Sequence, residues 1–143
     1  MQAIQLIKVF DTDVIIDFLR GDEETEEFAQ QFEEGVAVTS ITLAELYHGA
    51  EKSTKTEEHR EDIEELKEHL QILHTTSRSS KIFGEKRAGL EKKGKLVDDM
   101  DLLISSIVIA EDLEIVTRNT SHFNKIEELE VHRPEELRKE NKD

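Results

Sequence analysis

Short β-branched runs alternate with segments of helical period along the whole of this chain, and that alternation limits it to few folds. "IQLIKVF" (4–10), "VAVTS" (36–40), "QILHT" (71–75) and "EIVT" (114–117) read as strands. Between them, "TDVIIDFLRG" (12–21) has apolar residues at 14, 15, 18 and 19, and Gly21 as a stop. "DEETEEFAQQFEE" (22–34) is a second helix with Phe28 and Phe32 on one face. Further helices are expected over 41–52, over 55–70 with a seam at Ile63, Leu66 and Leu70, and over 78–94 around Ile82, Phe83 and Leu90. The apolar "DLLISSIVIAED" (101–112) is another, "SHFNKIEEL" (121–129) a short one, and "EVHRP" (130–134) an edge strand. Such alternation calls for right-handed crossovers and a mainly parallel sheet covered on both faces. At 143 residues, with no Pro- or Gly-rich linker, the chain reads as one domain, 1–143, with about the last eight residues a disordered tail.

In a parallel sheet, sites form beyond the carboxyl ends of the strands. With 34 acidic side chains, only acids that interrupt apolar sequence or follow a strand directly are informative. Asp11 ends the first strand, and either a site or a helix N-cap accounts for it; Thr12 or Asp13 serves the cap equally well. Asp13 and Asp17 read as cap and solvent face. Glu45 lies inside "ITLAEL", one turn into the helix after the second strand, where an exposed glutamate of an ordinary amphipathic helix is the competing reading. Asp98, Asp99 and Asp101 crowd the start of the longest apolar run, where a helix N-terminus favours negative charge, and periodicity does not choose among them.

Should Asp11, Glu45 and Asp101 converge, they would repel one another until a cation or protons neutralised them. Oxygen donors, no cysteine and no histidine pair at ligand spacing select Mg²⁺, with Mn²⁺ as the alternative, over Zn²⁺. Such an ion activates water and neutralises a phosphodiester. The formal net charge is −15, yet residues 78–95 carry +5. Lys86, Arg87, Lys92, Lys93 and Lys95 in that segment are candidates for contacts to a nucleic-acid backbone. His48 and His122 stand near these acids in the reading but read more simply as surface or packing residues. The absence of cysteine, of a signal peptide and of an apolar run near the roughly 20 residues of a membrane span leads to the expectation of a cytoplasmic protein.

"FDTDVIIDFLRG", "ITLAELYHGA" and "GKLVDDMDLLISSIVIAEDLEIVTRNTSHF", in that order and spacing, resemble the PIN-domain family, in particular VapC-type ribonuclease toxins. The resemblance implies a three-layer α/β/α sandwich and a Mg²⁺- or Mn²⁺-dependent endoribonuclease. It also implies a VapB-like antitoxin that occludes the site, and a homodimer. The family's acids fall on Asp11, Glu45 and Asp101, as metal ligands and catalytic residues; Asp98 becomes an accessory candidate. Many PIN nucleases have a fourth acid after the fourth strand, where this chain has Asn119, so one metal is expected; Thr117 is placed to hydrogen-bond an acid or a metal water. RNA with a single-stranded loop is the expected substrate. Apolar faces at Ile15, Phe18, Leu19, Phe28 and Phe32 offer a groove for an antitoxin peptide, most of them being core. The alternatives are a PIN-like binding module without catalysis and an RNA-processing nuclease without an antitoxin. A signalling receiver is disfavoured because no acid follows the third strand.

Overall fold

The computed structural model describes residues 7–23, 25–26 and 35–136. The expected second helix, with Phe28 and Phe32, and the C-terminal tail lie mostly outside them. The described elements are β1 (Lys8–Phe10), α1 (Thr12–Leu19), β2 (Val36–Thr39), α2 (Ser40–Lys52), α3 (Thr56–Lys67), β3 (Gln71–Leu73), α4 (Ser77–Lys92), α5 (Asp99–Ala110), β4 (Glu114–Val116), α6 (Thr120–Phe123) and β5 (Val131–His132).

The strands form a five-stranded sheet in the order β3-β2-β1-β4-β5, every pairing parallel. Successive side chains point to opposite faces, which divides the core in two. Phe10, Val38 and Val116 pack with Val14 and Ile15 of α1, Leu46 and Ala50 of α2, and Ile63 and Leu66 of α3. Val9, Ala37 and Ile115 pack on the other side with Leu90 of α4, Leu102, Ile104 and Val108 of α5, and Phe123. The result is the α/β/α sandwich.

α5 is buried nearly all round, which is why its sequence shows no polar face. Its two buried serines are satisfied locally: Ser105 donates to the Asp101 carbonyl and Ser106 to that of Leu102, both at 2.7 Å. α6 is shorter than the expected 121–129 helix. Ile126 N–H turns to the Phe123 carbonyl (3.0 Å), Lys86 takes the Glu127 carbonyl (2.9 Å), and Glu128 adopts a φ of 73°, so the chain leaves the helix to enter β5. Among the described residues, no helix is long and apolar enough to cross a membrane.

The chain builds outward from β1 to β2 and β3, then crosses to the other side of β1 to lay down β4 and β5. The reversal falls between β1 and β4, and a crevice opens at the carboxyl ends of such neighbours.

Candidate active site

Asp11 lies on that crevice, immediately after β1, and is only 7 % exposed. Its backbone holds the N-cap position of α1, but its side chain makes no capping bond. The carboxylate instead accepts from the Thr117 hydroxyl at the end of β4, at 2.7 Å. Burial pushes its pKa up to about 7; the Thr117 hydrogen bond opposes the rise, and repulsion from Asp13 and then Asp101 adds to it.

Glu45, in the second turn of α2, accepts from the Thr12 hydroxyl at 2.6 Å. Burial raises its pKa, and the charges of Asp101 and Asp98 raise it further. Asp101, in the first turn of α5, is raised by burial and by Asp98, against the influence of the His122 ring, whose Nδ1 lies 3.6 Å from Oδ2. The three acids taken from motifs more than thirty residues apart therefore share one edge and one electrostatic environment.

The remaining candidates separate. Asp98 holds the N-cap position of α5 without a capping bond and acts on Glu45 and Asp101 through its charge. Asp99 pairs with Arg87. Thr117 is fully buried, accepts from the Asn119 N–H (3.0 Å) and donates to Asp11. The Asn119 amide nitrogen lies 2.9 Å from His122 Nδ1.

Asp13 was the residue that sequence reasoning passed over. Its Oδ2 accepts the Arg118 N–H at 3.1 Å, and its charge acts on both Asp11 and Asp101. Its Oδ1 is buried and has no hydrogen-bond partner among the described residues. The available signal was its spacing, two residues after Asp11 at a strand end. Asp17 is likewise not free on a solvent face: it accepts from Arg118 Nε at 2.6 Å. An edge of hard carboxylate oxygens, one of them buried without a donor among the described residues, could hold a metal ion.

Residues 8–129 match the PIN domain family. The chain belongs to the PIN-domain family. Ribonuclease VapC2 of Rickettsia felis is 37% identical to this PIN domain over 94 residues, 66% of this chain and 70% of that protein. The DNA-bound VapBC from Salmonella typhimurium contains a chain of the same fold, with a TM-score of 0.86 and 28% identity, covering 90% of this chain and 98% of that one. VapBC2 from Rickettsia felis, bound to a DNA fragment from their promoter, gives a TM-score of 0.84 at 28% identity over the same shares. The PIN domain is thus of VapC type.

The basic residues of this PIN domain are less available than their sequence suggests. Lys86 pairs with Glu128 (2.9 Å), Lys93 with Glu127 (2.7 Å) and Arg87 with Asp99, while Lys92 and Lys95 stay exposed. A second acidic group, Glu114, Glu130 and His132, presents ligand atoms within 4.8 Å of one another; the three edge acids form no such close group. It lies around the starts of β4 and β5, and the buried Lys8 ammonium, 2.5 Å from Glu114, already supplies positive charge there.

Proposed function

We propose that this VapC-type PIN domain is a Mg²⁺- or Mn²⁺-dependent endoribonuclease, the toxin of a VapBC-like toxin–antitoxin pair. The observation that carries the reading is the gathering of Asp11, Glu45 and Asp101 at the carboxyl edge, buried enough that each is held above the usual carboxylate range. Carboxylates in that condition favour a divalent cation over bulk solvent. Asp11 and Asp101 would hold it directly, and Glu45 directly or through water. A cation held there would supply an activated water and neutralise charge on the scissile phosphate.

The chain's own residues prepare that chemistry. The Thr117 hydroxyl donates to Asp11 and the Thr12 hydroxyl to Glu45, fixing the direction of one oxygen of each carboxylate. His122, tethered by Asn119, stands beside Asp101. The substrate is RNA whose single-stranded loop lets the backbone enter a shallow edge, and the protein acts as a homodimer.

The antitoxin, on this reading, inserts an amphipathic helix into a groove of about 460 Å³ between α1 and α3, lined by Phe18, Leu19, Leu66 and Leu70 and rimmed by Asp62 and Glu65. Its acidic rim suits basic residues on the partner. The known VapBC complexes of similar fold support such a partner.

RNA cleavage with Mg²⁺ or Mn²⁺, abolished by EDTA and by Asp101→Asn, is the test. Equal cleavage by wild type and variant points to a contaminating nuclease and removes the support. A second reading, a PIN-like module that binds without cutting, is favoured by Asn119, whose amide adds no charge and is engaged with His122. Failure to bind either cation in calorimetry would favour it.

A further inference from the structure

Asn119 leaves the carboxyl edge without a fourth acid after β4, yet the same edge holds an acid with an unspent oxygen. Asp13 sits in the first turn of α1, where negative charge is favoured by the helix N-terminus. That accounts for its charge but not for its hydrogen bonding. Oδ2 accepts the Arg118 N–H at 3.1 Å and lies 3.5 Å from the Thr117 hydroxyl, whose one hydrogen goes to the nearer Asp11. Oδ1 is buried without any donor among the described residues. A buried carboxylate oxygen with no partner carries its full desolvation penalty, and in native proteins such an atom calls for a water or an ion.

Its surroundings point the same way. The Arg118 guanidinium makes no hydrogen bond to Asp13 and acts on it only through space, its charge opposing the upward shift that burial imposes. Its own bonds go elsewhere: Nε donates to Asp17 at 2.6 Å, one terminal nitrogen donates to Thr25 at 3.3 Å, and the other lies 3.5 Å from Glu135. The main-chain N–H of Arg118 donates to Oδ2, and the Val14 N–H also favours the charged form. The Asp13 charge meanwhile acts on Asp11 and Asp101 from within the same crevice. We infer that Asp13, through its free Oδ1, is a fourth carboxylate of the divalent-cation site, supplying the charge that Asn119 lacks. The inference rests on reading the carboxyl edge as a cation site.

Calorimetric titration of MnCl₂ and MgCl₂ into the metal-stripped full chain tests it, with wild type, Asp13→Asn, Asp101→Asn and Glu111→Gln compared. Asp13→Asn keeps an oxygen to accept from Arg118 and removes only the charge. Its Mn²⁺ affinity is expected to fall by about tenfold or more. Glu111→Gln, which removes one charge at the far end of α5, should stay within about twofold of wild type. In EDTA, Asp13→Asn should melt at or above the wild-type temperature, since a repulsion is gone; a merely structural Asp13 would make it melt lower with Mn²⁺ affinity intact.

Should Asp13→Asn melt lower and also bind weakly, Asp13→Glu decides. Recovered affinity supports the inference, and affinity left at the Asp13→Asn level overturns it. Wild-type affinity in Asp13→Asn together with lost affinity in Asp101→Asn overturns the role of Asp13 while leaving the nuclease reading standing. A wild type that binds neither cation overturns both.

Discussion

A carboxyl group held at about 7 in the folded chain binds its proton more tightly there than in the unfolded chain, where about 3.9 is usual. The stability that Asp11 allows is therefore fully present below about pH 4 and is lost as pH rises through about 7. The difference amounts to about 4 kcal/mol, an order of magnitude that burial of the group justifies. Asp13, Glu45 and Asp101 are shifted in the same direction. In EDTA, the melting temperature of Asp11→Asn should match wild type near pH 4 and exceed it increasingly toward pH 8. A gap that does not vary with pH would mean that Asp11 titrates as an ordinary surface acid. At this scale the sequence was legible for Asp11, whose strand-end position is local information. It was not legible for Thr117 as the donor to Asp11, because the two residues are 106 positions apart.

Among the elements, α4 shows how a helix boundary positions the site. Its C-terminal turn closes with Gly94 at a φ of 67°, the Gly94 N–H on the Glu91 carbonyl (3.1 Å) and the Lys95 N–H on that of Leu90 (2.9 Å). The chain then runs through residues 95–98 to the start of α5 and Asp101. A Cβ at Gly94 would meet nothing within 4 Å, so Gly94→Ala strains only the backbone. A cost of about 1 kcal/mol is expected, seen as a melting temperature lower by about 3 °C with Mn²⁺ affinity kept. Unchanged melting would show that the left-handed turn is not required. The helix stops at Gly21 and Gly94 were readable because glycine tolerates that turn. The early end of α6 was not, since Lys86, forty-one residues upstream, takes the carbonyl beyond it.

Across the whole molecule, a net charge of −15 opposes a polyanionic substrate, and the +5 segment answers it only in part. Lys86, Arg87 and Lys93 are engaged with Glu127, Glu128 and Asp99, leaving Lys92 and Lys95 as the exposed cations of that helix end. RNA binding should therefore depend weakly on salt. Replacing Lys92 and Lys95 together by alanine should reduce the slope of log affinity against log salt by about 1.4, two single-strand contacts' worth. An unchanged slope would place the backbone contacts on other residues.

The sequence by itself determined the alternation of strands and helices and the two-faced parallel sheet, because periodicity, helix stops and strand ends are properties of neighbouring residues; among the acids, the resemblance and not periodicity singled out Asp101 from Asp98 and Asp99. Only the tertiary structure decided which acids share a field, which lysines are already spent, and that Asp13 keeps a buried oxygen without a donor among the described residues. The Asp13 and Asp11 outcomes depend on groups brought together across the β1–β4 junction, and the spent lysines on α4 meeting the segment before β5. Burial and hydrogen bonding between distant segments leave no local trace in a chain so rich in carboxylates.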